Sequence, residues 1–164
     1  MPKAQWKIRP AGFGDAKDIF ALVKEHPEEL LPRPISDIVQ NIDRFLVCEA
    51  DGNLAGTVSW QILPEIGVPR HPSVELKSLA VAAQYRNSGI GKALVQEAVR
   101  RVMEFHPSQI MALTFTPAFF EKMGFRQVPK ETLMHKIYLG CINCSKYDSP
   151  LTCPEIAMVM ETRA

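Results

Sequence analysis

What the chain lacks narrows its function first. Within 164 residues no apolar run approaches the roughly 20 that a membrane-spanning helix needs. The start, Met1-Pro2-Lys3-Ala4-Gln5-Trp6-Lys7, has no apolar signal core and no small-residue cleavage site. These absences predict a soluble, cytoplasmic protein without a membrane partner. An excess of one charge is missing too. Lys and Arg number 19 against 18 Asp and Glu, a net charge of +1, so bulk electrostatics gives no reason to expect nucleic acid as a partner. Cysteine is scarce: Cys48, Cys141, Cys144 and Cys153 are too few for a disulfide framework in a chain of this size. Repeats, low-complexity tracts and linkers are also lacking, and the length fits a single domain spanning 1–164. Apolar residues at 46% and charged residues at 23% form an ordinary globular balance. Such a chain can bury a core without covalent staples.

The pattern along the chain is mixed α and β. Trp6 to Arg9 alternates as a short strand. Asp15 is placed to cap a helix carrying Ile19, Phe20, Leu22 and Val23. Leu30-Leu31-Pro32-Arg33-Pro34 is a stiff loop, and Ser36 or Asp37 would cap a second helix with Ile38, Val39, Ile42 and Phe45 on its apolar side. The run 45–60, centred on Asp51-Gly52-Asn53, carries a hairpin signal. Val74 to Val81 and Gln109 to Leu113 read as strands. A long helix is expected from Gly89 to Phe105, with Ile90, Leu94, Val95, Ala98, Val99 and Val102 as its apolar stripe. Pro117 would open a short helix through Met123, ended by Gly124. The last strand is Glu155 to Met160.

Chemistry is concentrated in Leu79-Ala80-Val81-Ala82-Ala83-Gln84-Tyr85-Arg86-Asn87-Ser88-Gly89-Ile90-Gly91-Lys92. A strand runs into a glycine-punctuated turn and then a helix. Glycine permits close approach of backbone to a ligand, and the first N–H groups of a helix lack internal acceptors. With Arg86 and Lys92 added, this arrangement suits a pyrophosphate. The segment is neither a Walker loop nor a dinucleotide fingerprint, since GxxxxGK[ST] and GxGxxG are both absent. Two glycines in a tight turn, taken alone, fit a plain helix start better than a ligand site.

The order strand, Arg86-x-x-Gly89-x-Gly91, helix resembles the coenzyme A pyrophosphate loop of the GNAT acetyltransferases. Downstream, Phe119-Phe120-Glu121-Lys122-Met123-Gly124-Phe125 is similar to that family's "FYxxxGF" element. The resemblance extends to amino-acid N-acetyltransferases of the N-acetylglutamate synthase type. Leu30-Leu31-Pro32-Arg33-Pro34 looks like their "LLPRS", and Met134 to Tyr147 looks like "LPHKIWxDCxNCPKF". Matches spread over residues 8 to 160, and the length corresponds to a short form without the amino-acid-kinase domain that many such synthases carry. The resemblance implies an α/β (α+β) GNAT fold. Its sheet would be mixed and mostly antiparallel, flanked by helices, with a cleft between two central parallel strands. It also implies acetyl-CoA as cosubstrate and an α-amino group as acceptor. L-Glutamate is favoured, which would place the product at the entry to arginine biosynthesis.

Acetyl transfer to an amine needs a neutral nucleophile, a polarised carbonyl and a proton for the leaving thiolate. By resemblance, attack is direct, and a backbone N–H within Leu79, Ala80 and Val81 polarises the carbonyl. Glu75 and Lys77 share one strand face, about 6.6 Å apart by strand rise. Glu75 is the candidate base; the alternative is a structural ion pair. Lys77 and Arg33 are candidates to hold substrate carboxylate, Arg33 because its guanidinium can bind two oxygens in parallel. The alternative for Arg33 is an exposed surface residue. The family often has Tyr where this chain has Phe120, which cannot donate a proton, so Thr114 and Thr116 become candidates to orient a relaying water. Cys141-x2-Cys144-x8-Cys153 with His135 has the residue types of a zinc site; the alternative is free thiols. Cys48 is expected to pack in a core strand. Self-association into a homodimer is left open. The rival functions are acetylation of another amine (another amino acid, a polyamine, a drug or a protein N-terminus) and a non-catalytic acetyl-CoA-binding or metal-binding module.

Overall fold

The computed structural model describes residues 5–27, 30, 32–64, 70–133 and 153–162. Strand β1 (Trp6–Pro10) pairs antiparallel with β2 (Phe45–Ala50), from Trp6↔Ala50 to Pro10↔Leu46. β2 turns into β3 (Asn53–Leu63) through Asp51 and Gly52, both at positive φ (53° and 77°), as a tight two-residue hairpin turn demands. The register steps from Cys48↔Gly56 to Glu49↔Leu54, so Ala55 is an extra residue on β3 and forms a bulge. β4 (Ser73–Val81) follows, then β5 (Gln109–Thr114), β6 (Arg126–Val128) and β7 (Ile156–Glu161). The seven strands form one sheet in the order β1-β2-β3-β4-β5-β7-β6. β4 and β5 are parallel, registered at Val74↔Ile110 and Glu75↔Met111, whereas β5 with β7 and β6 with β7 are antiparallel. The expected α/β class with a mixed, mostly antiparallel sheet and flanking helices is what the structure has.

Helix starts depart from the sequence expectations for one recurring reason: arginines claim the carboxylates. Helix α1 (Ala16–Lys24) buries Ala16, Ile19, Leu22 and Val23. Asp15 precedes it but makes no side-chain cap. Its carboxylate accepts Arg9 Nη1 and Nη2, each at 2.8 Å, and the Gly12 N–H at 2.7 Å. A bidentate charge-assisted pair is stronger than a neutral cap bond. Helix α2 (Ile35–Gln40) begins after Pro34, whose backbone is extended, and not at Ser36 or Asp37. Arg33 holds the Asp37 carboxylate instead. Of the expected apolar side, Ile38 is fully buried and Val39 is exposed; Ile42 falls in a 3-10 turn (Ile42–Arg44), and Phe45 is buried as the first residue of β2.

Helix α3 (Ile90–Val102) is shorter than the expected 89–105. Met103–Phe105 tighten into a 3-10 turn, and His106 ends it in the left-handed region at φ 52°. Ile90, Leu94, Val95, Ala98 and Val102 are buried, while Val99 is only half-buried. Helix α4 (Pro117–Glu121) stops two residues before the expected Met123. Gly124, at φ 95°, reverses the chain, and the Phe125 N–H returns to the Phe120 carbonyl at 3.2 Å.

The chain divides into two compact units, Met1–Trp60 with Leu76–Arg100, and Gln61–Glu75 with Arg101–Ala164. The first has a core of Ala16, Ile19, Val23, Ile38, Phe45 and Val47, and a second cluster of Leu22, Ala80 and Ala82. The other packs Leu63, Met111, Leu133, Ala157 and Val159. Among the described residues, no helix is long and apolar enough to cross a membrane.

Candidate active site

In the first unit, the end of β4 leads into the glycine turn. Leu79 and Val81 are half-buried, and Ala80 is buried. A 3-10 turn at Ala83–Tyr85 follows. Arg86, Asn87, Ser88 and Gly89 are exposed, with Asn87 at φ 60° and Gly89 at φ 88°. These two positive angles fold the segment back on itself, and the Ser88 hydroxyl donates to the Tyr85 carbonyl within it. The first helical bond is from the Ala93 N–H to the Gly89 carbonyl, at 3.1 Å. The N–H groups of Ile90, Gly91 and Lys92 precede that bond and so have no partner in the helix ladder. Ile90 itself is buried as an anchor, whereas Lys92 is exposed beside the turn. Backbone donors, the positive helix end and two exposed cationic residues thus fall within one short stretch of chain, an arrangement able to accept an anion.

Arg33 is not the exposed surface residue that its type alone would suggest; 15% of its side chain is accessible. Nε donates to Asp37 Oδ2 at 2.6 Å. Nη1 donates to Ser59 Oγ at 3.0 Å and to Ser78 Oγ at 3.1 Å. The guanidinium lies over the Phe45 ring, 4.9 Å from its centroid. Ser59 in turn donates to the Lys77 carbonyl at 3.2 Å. Among the described residues Nη2 takes none of these bonds, so its two N–H groups remain as donors beside a fixed, partly buried charge. Ser78 reaches the arginine because it sits at φ 54° inside β4, an unusual conformation for serine that turns the strand locally. Sequence reading missed Asp37, Ser59, Ser78 and Phe45 as the residues that hold Arg33. They are separated by up to 45 positions from it, and only the folded strands bring them together. Lys77 is half-buried on β4.

In the other unit, Glu75 is 3% exposed on β4, opposite Met111. Thr114 ends β5 and Thr116 precedes α4. Their hydroxyl oxygens are 3.1 Å apart, and the Thr116 N–H donates to Thr114 Oγ1 at 2.9 Å. The two threonines thus bond to each other, with Thr114 buried and Thr116 exposed. Phe120 is buried and meets Phe119 and Phe125 edge-on at 5.2 and 5.3 Å, so it serves packing. Cys48 is fully buried, and burial pushes its thiol up to about 11, which keeps it protonated. His135, Cys141 and Cys144 lie outside the described residues. Cys153 is a free thiol 3.8 Å from Glu155, and no group of three or more His, Cys, Asp or Glu suited to a metal occurs among the described residues.

With this geometry in hand, the relatives are informative. The pattern of the acetyltransferase (GNAT) family matches residues 14–125. An uncharacterized N-acetyltransferase of Chlorobaculum tepidum is 32% identical over 161 residues, covering 97% of this chain and 98% of that protein. An amino-acid acetyltransferase of Buchnera aphidicola is 30% identical over 132 residues, but these make up 77% of this chain and only 28% of that protein. The N-acetylglutamate synthase of Neisseria gonorrhoeae, solved with coenzyme A and N-acetyl-glutamate, superimposes with a TM-score of 0.76 at 23% identity, over 99% of this chain and 36% of that one. The chain belongs to the GNAT family of acetyltransferases. It is an acetyl-CoA-dependent acyltransferase with similarity to amino-acid acetyltransferases.

Proposed function

We propose that this chain, acting through residues 1–164 as one domain, transfers acetyl from acetyl-CoA to the α-amino group of an amino acid, with L-glutamate the favoured acceptor. The observation that carries the acceptor class is Arg33: a partly buried guanidinium held by Asp37, Ser59 and Ser78 through Nε and Nη1, with Nη2 taking no bond to the described residues. A cation fixed in this way suits a carboxylate and repels a polyamine. Lys77 would supply the second cation that a dicarboxylate needs. The similarity to the Buchnera amino-acid acetyltransferase, and to a synthase solved with N-acetyl-glutamate, supports the same reading.

In this proposal the coenzyme pyrophosphate rests on Arg86, Asn87, Ser88, Gly89, Gly91 and Lys92, with Ile90 contributing its backbone N–H. A main-chain N–H between Leu79 and Val81 polarises the thioester carbonyl. Glu75 removes a proton from the ammonium, directly or through water, and the neutral amine attacks the carbonyl carbon. The C–S bond breaks, the acetyl group stays on nitrogen, and the second proton that the acylated nitrogen gives up passes to the thiolate through water held at Thr114 and Thr116. The test is thiol release from acetyl-CoA with each of the twenty amino acids, and with spermidine as a cationic comparison. Glutamate-dependent release is expected. Release with spermidine and with none of the amino acids overturns the acceptor assignment.

A further inference from the structure

We infer that Gly56, in the β3 bulge, is a positioning residue for the coenzyme loop: it is the space its missing side chain leaves that lets the first turn of α3 sit where the pyrophosphate is bound. The inference rests on the proposal that the turn Arg86–Lys92 holds that pyrophosphate. Gly56 is buried and its φ is not positive, so the backbone there does not require glycine for conformational freedom. What requires it is room. A Cβ at this position would come within 2.9 Å of Leu94 Cδ1, 3.1 Å of Ile90 Cγ2 and 3.2 Å of the Ala80 carbonyl oxygen.

Two of those three atoms belong to α3, and one of them to its first residue. The third belongs to the strand end that precedes the turn. The neighbouring bulge residue reinforces the same registration, because the Ala55 carbonyl accepts the Ala82 N–H at 2.8 Å. The bulge therefore holds both limbs of the loop. Ala55 pins the chain just before the 3-10 turn, and Gly56 seats the buried Ile90 and Leu94 just after it. Ala80 O is backbone and cannot swing aside, and Ile90 is β-branched with a restricted χ1. Leu94 is fully buried, so its Cδ1, the closest atom, cannot swing into solvent, and an added methyl pushes the start of α3 away from β3 by a few tenths of an ångström. The N–H groups of Ile90, Gly91 and Lys92 move with it, and their aim at a phosphate oxygen is lost.

The test is calorimetric titration of coenzyme A into Gly56→Ala, with KM measured for acetyl-CoA and for glutamate. A rise of roughly tenfold in the coenzyme Kd and acetyl-CoA KM is expected, with the glutamate KM spared, since misplacement by less than an ångström weakens directional contacts strongly. Adding Leu94→Val, which removes the closest atom, should restore much of the coenzyme affinity. If Gly56→Ala alone does not fold, the double variant compared with Leu94→Val carries the measurement. Val47→Ala, in the core of the same unit, lowers the melting temperature as a control and should leave both KM values unchanged. Gly91→Asp places a carboxylate in the turn itself and should abolish coenzyme binding. If Gly91→Asp abolishes binding and Gly56→Ala only lowers the melting temperature, the inference about Gly56 is overturned while the loop assignment stands. Undiminished coenzyme affinity in Gly91→Asp overturns the loop assignment, and the inference with it.

Discussion

Truncating Arg33 separates acceptor binding from coenzyme binding. Arg33→Ala removes the bond to Asp37 at 2.6 Å, the two serine bonds at 3.0 and 3.1 Å, and the contact with the Phe45 ring. The Asp37 partner is 40% exposed, so solvent screening limits that ion pair to about 1 kcal/mol at most. The stacked guanidinium adds about 1 kcal/mol. Two hydroxyl bonds to a charged donor would add about 1–2 kcal/mol together, because Ser59 keeps its bond to the Lys77 carbonyl. The fold should then lose roughly 2–4 kcal/mol, which a chain of this size tolerates.

Binding should suffer separately. Losing a partly buried charge-assisted contact to a carboxylate costs roughly 2–5 kcal/mol, or about 30-fold or more in the glutamate KM. Arg33→Lys keeps the charge but offers one ammonium where a planar fork bridged Asp37, Ser59 and Ser78, so it should recover little of the affinity. Initial rates of thiol release, with glutamate varied at saturating acetyl-CoA and then the converse, read both constants. Circular dichroism melting reports the fold. The reasoning is refuted if both KM values rise together, or if neither moves in a variant that is still folded.

The remaining predictions concern the base, the acid limb of stability and a buried thiol. Glu75→Gln should leave coenzyme and glutamate binding intact while lowering kcat about 10²-fold, the usual scale for losing a general base; a normal kcat removes Glu75 from that role. Arg9 holds the Asp15 carboxyl below its usual range by hydrogen bonding, with burial opposing and the Gly12 N–H assisting. A depressed carboxyl stabilises the fold above its unfolded pKa of 3.8, and that contribution is lost as pH falls through the lower folded value. Arg9→Met should therefore cost about 1 kcal/mol at pH 7 and flatten the loss of stability below pH 3.8, read from denaturant melts across pH. Cys48 should resist alkylation by iodoacetamide in the native protein at pH 7.5 and react on unfolding, because its thiol is buried and pushed up to about 11; rapid native labelling seen by peptide mass would contradict the packing described.

Local signals were enough for the elements whose identity depends on pattern or on a special backbone angle. The Asp51-Gly52 turn, the α3 stripe and the Gly124 stop could be read from residue type, because glycine at positive φ and apolar periodicity act over a few positions. The exposed turn before α3 was legible as a turn for the same reason: Gly89 sits at positive φ just ahead of the helix. The caps were not legible. Asp15 and Asp37 are good cap residues by type, yet Arg9 and Arg33 hold their carboxylates, and charge-assisted pairing overrides a local preference. Arg33 itself could be singled out in its Pro-bracketed loop, but its surroundings could not. Ser59 and Ser78 lie 26 and 45 residues away, and Ser78 reaches it only through a left-handed backbone that serine type does not announce. Gly56 is the clearest case of all. Its conformation is open to any residue, and only the packing of Leu94, Ile90 and the Ala80 carbonyl around it explains why there is no side chain. The sequence by itself thus determined most of the strands, the helices and the glycine turn before α3, since these follow from short-range sterics and periodicity. The tertiary structure decided which arginine is held by distant serines and which glycine makes room for α3, since both depend on atoms brought together across the sheet.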